Sequence, residues 1–527
     1  MSYQSFEFLL FSAGILLLYY IVGRKGQKWV LLLANLVFYA LAGTEYLPFL
    51  LITLLVSYGA GRWMGRIYEE ADAELASCQT PAEKKQIRAD AKARAKKVML
   101  LALLISVGLL AVCKYTGFIL QNVNILLAGL GLEQISLFKL ILPLGISYYT
   151  FMAVGYVLDV YWKRYGAEKN FVLYAVFLSY FPHIVQGPID RYNKFKPQMA
   201  EGVKLSYKNI TFGAQLALWG FFKKMVIADR LAPFVSNIFS QYDNYTGIIF
   251  VIAVVFYAFQ LYADFSGCVD IVSGISQMFG IKLAQNFNHP FFAKNIPDFW
   301  RRWHMSLMEW FKDYIFYPVS TSNLVKKVRK HFRDKEQKKR EELFASCFPA
   351  LIVWIITGIW HGAAWKYVAW GLYNALLIIL GNIFADFNKN AVQKLKIDEE
   401  SFSWRLWQML RTFALCCVGR IFSRADDLAA AFGIFKNMFS GLGMKYVAGG
   451  QLYCYGMGKM DFLVVLIAMG ILWAVDLLQE KMPLRETIAK QNLIFRWVLI
   501  YGCLFAVIIF GVYGPGYDAS SFIYGQF

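Results

Sequence analysis

Two histidines stand at positions where proton-transfer chemistry can be done. His361 lies in Thr357-Gly358-Ile359-Trp360-His361-Gly362-Ala363-Ala364-Trp365, an apolar run in which an ionisable side chain is costly and marks a candidate functional site. A neutral imidazole with an unperturbed pKa of about 6.5 is the usual general base for activating a hydroxyl. Gly358 and Gly362 would let another backbone approach, and Trp360 and Trp365 would wall the position as a dry reaction pocket requires. His304 lies 57 residues upstream (361 − 304), in Phe299-Trp300-Arg301-Arg302-Trp303-His304-Met305-Ser306-Leu307. It is the candidate second member, orienting an acceptor or stabilising charge.

The segment that must position His304 follows a breaker, Asn286-Phe287-Asn288-His289-Pro290. Pro297 then sits at a first-turn position, and the pattern predicts one amphipathic helix over about 297–316. Arg301, Arg302, His304, Lys312 and Asp313 alternate there with Trp300, Trp303, Trp310, Phe311 and Tyr314. Such a helix is too polar to face lipid and too aromatic for a solvated loop, so it reads as interfacial or re-entrant. Upstream, Gln260, Asp264 and Gly267 fall at i, i+4 and i+7 on one helical face. A carboxylate there needs a partner, for which Arg301 or Arg302 is expected, and the pair reads as a structural staple. A second polar knot, Phe181 to Tyr192, contains Pro182, His183, Gln186, Gly187 and Pro188. It predicts a broken helix lining a cavity, with His183 in a structural role.

The composition fixes the surroundings of these residues. Of 527 residues, 58% are hydrophobic and only 17% charged, which excludes a soluble multidomain chain. Apolar stretches near 5–23, 29–43, 46–61, 98–116, 136–160, 171–187, 208–238, 246–280, 346–380, 405–422, 461–479 and 494–513 predict about a dozen spans or half-spans. The class is an all-α polytopic membrane protein. The first stretch lacks a basic leader and a cleavage site, so it reads as a retained span.

The formal charge of +19 does not indicate nucleic acid, because it is concentrated beside the spans. Nine basic residues fall within 62–97 and nine more within 326–340. The positive-inside rule places inserts 62–97 and 320–342 in the cytoplasm and the N-terminus outside; contact with anionic membrane lipid or an acidic partner is the lesser alternative. The 62–97 insert reads as a charged helix pair. Eight cysteines without a Cys-x-x-Cys give neither a disulfide framework nor a zinc site, so no metal is expected.

Phe299 to Leu307 followed by Trp310-Phe311-Lys312-Asp313-Tyr314, then Gly358-Ile359-Trp360-His361-Gly362, with Gly187-Pro188-Ile189 upstream, resembles the membrane-bound O-acyltransferase (MBOAT) superfamily. The similarity lies in its bacterial branch of alginate O-acetyltransferases and teichoic-acid D-alanyltransferases, the AlgI/DltB branch, and most with the alginate type. It covers about 1–425, leaving 426–527 as an extension with two further transmembrane helices. The resemblance implies a helical ring around a tunnel, with a thioester donor entering from the cytoplasm and an acceptor hydroxyl from outside. It implies His361 as the catalytic histidine and His304 as the second. Trp303, Arg301, Arg302, Trp360, Asp313, Asp264, Gln260 and Gln186 are expected as tunnel or supporting residues.

No bound cofactor is expected; acetyl-CoA is the expected donor, with an acyl carrier protein as the alternative. The expected partner is an extracytoplasmic SGNH-hydrolase-like transferase, and the expected location the bacterial plasma membrane. Two features depart from the alginate type: Tyr317-Pro318-Val319-Ser320-Thr321-Ser322-Asn323 and the long basic insert after it. They bear on donor and partner docking, whereas Gly187-Pro188-Ile189-Asp190-Arg191-Tyr192 and Met305 lean towards the D-alanyltransferases, the alternative to polysaccharide O-acetylation. A polymer-export scaffold is the non-enzyme alternative, against which stands the absence of a second copy of either histidine motif.

Overall fold

The computed structural model describes residues 2–137 and 140–514. Residues 138 and 139 of the apolar stretch 136–160, and residues 515–527 of the C-terminal extension, lie outside the described residues. Among the described residues there is no strand, only an isolated antiparallel bridge between Phe287 and Trp303. Six helices are long and apolar enough to cross a membrane: Thr44–Ser77, Pro81–Gly129, Ile248–Met278, Lys338–His361, Lys459–Gln479 and Leu493–Phe510. A bent pair, Trp365–Ile383 and Ala385–Lys394 at 55°, makes up to seven. The chain is an all-α, multi-pass membrane protein.

The count is below the dozen apolar stretches because several of them are not single helices. The stretch 171–187 yields nine helical residues, Phe171–Ser179, before the proline-rich break frees its backbone. The stretch 346–380 divides at Gly362 into two helices. Phe6–Ile21, at 16 residues, is shorter than the ~20 residues a span needs.

The described chain forms two compact units, Met1–Ala214 with Val272–Ala284, and Gln215–Ile271 with Gln285–Phe527. In the first, residues 62–97 complete two long helices, Leu47–Ser77 and Pro81–Gly129, the charged pair that the composition indicates. Its ion pair Arg94–Glu70, 3.1 Å, is exposed and contributes at most about 1 kcal/mol. The polar knot is held from inside. Asn35 accepts from the Phe181 amide at 2.9 Å and donates to Ser179 Oγ at 3.1 Å. His183 sits 3.2 Å from Asp190 Oδ2 through Nδ1 and 3.1 Å from the Phe177 carbonyl through Nε2. Both ring nitrogens are engaged, as a structural histidine requires. Gln186, 2% exposed, has no hydrogen-bond partner for its side-chain amide.

The second unit contains Ile248–Met278 as far as Ile271; the most apolar window of that helix is 72% buried, against 0% for Leu493–Phe510. The face carrying Asp264 and Gly267 packs on a π-helical turn, Phe222–Ala228. A Cβ at Gly220 would stand 2.5 Å from the Gly267 carbonyl, so only glycine permits this approach. Here the expected partner of Asp264 is corrected. It is not Arg301 or Arg302 but Lys224, whose Nζ lies 2.6 Å from Asp264 and 2.7 Å from Asp229. Arg302 instead pairs with Glu480 and Asp298, and Arg301, 71% exposed, with Asp298. The guanidinium groups lie at a helix end near solvent, whereas Lys224 rises from the neighbouring helix directly beneath Asp264.

The C-terminal pair belongs to this unit. Phe462, Val465, Ala468 and Leu472 of Lys459–Gln479 are buried in the same cluster as Phe234, Phe256 and Tyr262, and Asp476 accepts from the Tyr262 hydroxyl at 2.8 Å.

Candidate active site

The predicted helix 297–316 is not continuous. It runs Ile296–Arg302, breaks at Trp303 and His304, resumes at Met305–Phe311, and widens into a π-helical turn, Lys312–Phe316. Asn295 caps its start, accepting from the Asp298 amide at 2.8 Å. The cause of the break is tertiary. The segment Asn286–Asn288 pairs antiparallel with it: the Asn288 amide donates to Arg302 O and the Met305 amide to Asn286 O, each at 2.9 Å. Asn286 Oδ1 also accepts from the Ser306 amide and hydroxyl. These bonds leave His304 at φ 47°, ψ 49°, a left-handed conformation that costs a non-glycine residue on the order of 1–3 kcal/mol. Strain of this kind persists where the surroundings over-determine it, commonly at functional sites.

His304 is 1% exposed and lies outside the six span-length helices. Burial pushes its pKa down to about 3, so the ring is neutral at physiological pH. Its edge meets Phe265 at 4.8 Å between centroids.

His361 is the last residue of Lys338–His361. Its ring packs edge-on against Trp370 at 4.6 Å and beside Trp360 at 4.9 Å. Trp360 also lies 6.1 Å from His304, so one indole touches both imidazoles. Trp365, expected as the second wall, is 56% exposed. Trp370 takes its place, because the chain turns through Gly362 to Ala364 before the next helix begins. Gly358 performs as expected, since a Cβ there would meet the Tyr367 carbonyl at 2.5 Å. Gly362 does so against a side chain, the Tyr367 ring at 2.2 Å.

Gly358→Ala is therefore expected to push the two helices apart at a cost of about 1–3 kcal/mol. Gly381→Ala, on the same second helix and with nothing within 4 Å, is the control and is expected to leave thermal unfolding of the purified protein unchanged.

His361 lines a cavity of about 50 Å³ together with Trp300, Trp303, Trp370, Asn374 and Arg420. At roughly 10–15 Å³ per water, it admits three to five heavy atoms. Asn374 fixes two of these walls, accepting from Trp300 Nε1 at 3.2 Å and donating to the Trp370 carbonyl at 2.9 Å. Neither His304 nor Trp360 is among the residues lining this cavity. Asp264 and Gln260 are buried on Ile248–Met278. Asp313 is half-buried in the π-helical turn. Among the described residues no group of three or more His, Cys, Asp or Glu could hold a metal.

Arg420 escaped the sequence reading. It is 5% exposed, and its guanidinium lies 5.4–5.8 Å from the ring centroids of Trp303, Phe299 and Phe291. The signal was present, because Arg420 interrupts the apolar stretch 405–422 as His361 interrupts its own.

A hydroxyl or other small nucleophile admitted to this cavity would meet an imidazole, aromatic walls and a cation. Comparisons with known proteins agree with that chemistry. Residues 166–332 match the membrane-bound O-acyltransferase family. The chain is 28% identical to the probable alginate O-acetylase AlgI of Azotobacter vinelandii, over 84% of this chain and 78% of that one. It is 30% identical to the peptidoglycan O-acetyltransferase of Helicobacter pylori, over 78% and 73%. To the teichoic acid D-alanyltransferase of Bacillus subtilis it is 33% identical, over 48% of this chain and 62% of the other. The chain belongs to the membrane-bound O-acyltransferase family and is an acyltransferase.

Proposed function

We propose that the chain passes an acetyl group from acetyl-CoA, taken from the cytoplasmic side, across the bacterial plasma membrane for O-acetylation of an extracytoplasmic surface polysaccharide. His361 accepts the proton of the incoming hydroxyl, and His304, whose ring lies 6.1 Å from that of Trp360, is the second histidine of the site. Inserts 62–97 and 320–342 face the cytoplasm in this reading. An SGNH-hydrolase-like transferase outside carries the acetyl group to the polymer. The observation that carries acyl transfer is His361 lining a small cavity with aromatic walls, and the choice of acetyl is supported by the relatives. Relatives of the two acetylating kinds cover most of both chains, whereas the D-alanyltransferase likeness covers about half of this one.

The alternative is transfer of D-alanine to teichoic acid, favoured by the higher identity over that half. Incubating purified full-length protein with radiolabelled acetyl-CoA separates the readings. Release or transfer of labelled acetate by the wild type, lost in His361→Ala, is expected. Inertness toward acetyl-CoA with turnover of a D-alanyl carrier thioester would move the assignment to the alternative.

His304→Asn tests the second histidine without collapsing the loop, because asparagine tolerates the left-handed conformation. Transfer is expected to fall by about 10²-fold or more while the protein remains folded. The sign of the pH effect follows from the lowered pKa. The unfolded chain binds a proton below about pH 6.5 that the folded ring does not take until about pH 3. The wild type therefore loses stability as pH falls through that window, and His304→Asn is expected to lose less between pH 7 and pH 5, read as thermal midpoints.

A further inference from the structure

A buried guanidinium without a counter-anion is costly to maintain. Arg420 is 5% exposed on the helix Phe402–Arg424. It lines the same cavity as His361. No carboxylate of the described residues lies within ion-pair distance of it, and its Nη1 has no hydrogen-bond acceptor. What surrounds it is aromatic, Trp303, Phe299 and Phe291, with the Cys417 thiol as its bonded neighbour. The rings hold the cation in place and offer Nη1 no acceptor. Because Arg420 lines the cavity, a small polar group that enters it meets a cation with no carboxylate beside it. The cavity, of about 50 Å³, accommodates a small acyl group beside His361 and Arg420.

Resting on the acetyl-transfer reading above, we propose that Arg420 is a further catalytic residue: its guanidinium donates to the acyl carbonyl oxygen as that oxygen becomes an anion, and its charge restricts the site to acyl groups that are not themselves cationic. The hydroxyl oxygen bonds to the carbonyl carbon while its proton passes to His361, and the carbonyl π pair moves onto the oxygen facing Arg420. Return of that pair re-forms the carbonyl and expels the thiolate. The thiolate takes the proton from His361, leaving an ester and a free thiol. A fixed donor aimed where charge develops accelerates the step without tightening ground-state binding. The same fixed cation repels an ammonium on the α-carbon of an aminoacyl donor, which disfavours D-alanyl against acetyl.

The test uses purified full-length protein with acetyl-CoA and the isosteric pair propionyl-CoA and glycyl-CoA at pH 6.5, where only glycyl carries an added positive charge. The wild type is expected to prefer propionyl over glycyl by at least about 100-fold; comparable rates would overturn the proposal. Folded Arg420→Gln is expected to lose about 10²–10³-fold in kcat for acetyl-CoA, to keep KM within about threefold, and to narrow the propionyl-to-glycyl ratio. A purely structural role would slow both donors alike and leave the ratio fixed, which would overturn the proposal. So would kcat within threefold of wild type, or a raised KM at unchanged kcat. If Arg420→Gln does not fold, Arg420→Lys decides: it keeps the charge and should keep both the preference for propionyl and kcat within about tenfold, and loss of the preference would overturn the proposal. A wild-type protein inert to acetyl-CoA and propionyl-CoA alike would instead refute the acetyl-transfer reading itself.

Discussion

His361→Ala is expected to remove acyl transfer while leaving the chain folded and inserted in the membrane. Loss of a general base typically costs about 10²–10⁴-fold in rate, which in cells would read as absence of product. The fold should survive because the imidazole stands at the end of its helix, with its packing shared among Trp360 and Trp370. Close packing of the two helices depends on Gly358 and Gly371, each of whose Cβ atoms would strike a backbone carbonyl of the partner helix. Thermal unfolding of the purified variant within a few degrees of wild type, with transfer undetectable, is the expected pair of results. Transfer persisting at near wild-type rate would remove His361 from the chemistry. His183→Ala, whose histidine is engaged at both ring nitrogens, and His331→Ala, whose histidine is exposed, should keep most activity provided they fold.

The largest effect on stability is expected from Lys224→Met. Lys224 Nζ bridges Asp264 and Asp229 at 2.6 and 2.7 Å with all three side chains buried. Removing the cation leaves two carboxylates facing each other in a low-dielectric interior, and breaking a buried pair by deleting one partner costs about 3–5 kcal/mol. The neighbouring lysine cannot substitute, because Lys223 Nζ is held 2.7 Å from Asp270 and 2.9 Å from Ser266. Folded protein should fall sharply in yield and in thermal midpoint. The triple substitution Lys224→Met, Asp229→Asn, Asp264→Asn should recover part of the loss, since it removes the uncompensated charges. A Lys224→Met protein as stable as wild type would show that the cluster is not the staple that its geometry indicates.

Apolar length and charge placement made the helical membrane class legible in the sequence. The cost of an imidazole in an apolar run made His361 legible as well. The same rule applied to every charge in an apolar run would also have found Lys224 and Arg420. Both interrupt stretches, 208–238 and 405–422, whose apolar length alone indicates a span. The partner of Asp264 was misassigned for a different reason. Arg301 and Arg302 belong to the aromatic motif around His304, whereas which helix lies against Asp264 is a tertiary fact fixed by the Gly220–Gly267 approach. The break at His304 was equally hidden. Locally, Trp303-His304-Met305 continues a helical pattern, and only pairing with Asn286–Asn288 turns it left-handed. The replacement of Trp365 by Trp370 as the wall of the His361 cavity follows from where the chain re-enters a helix, at Trp365 itself, which sends that side chain outward.

The measurement that bears most directly on acetyl transfer to a surface polymer is chemical analysis of the polymer itself. Cell-surface polysaccharide is collected from wild type, a deletion strain, and the deletion complemented with wild type or His361→Ala, then treated with mild alkali. Acetate released from the wild type, absent in the deletion, restored by the wild-type copy and not by His361→Ala is the expected pattern. Acetate at equal levels in all four strains, or D-alanine released in its place, would contradict it.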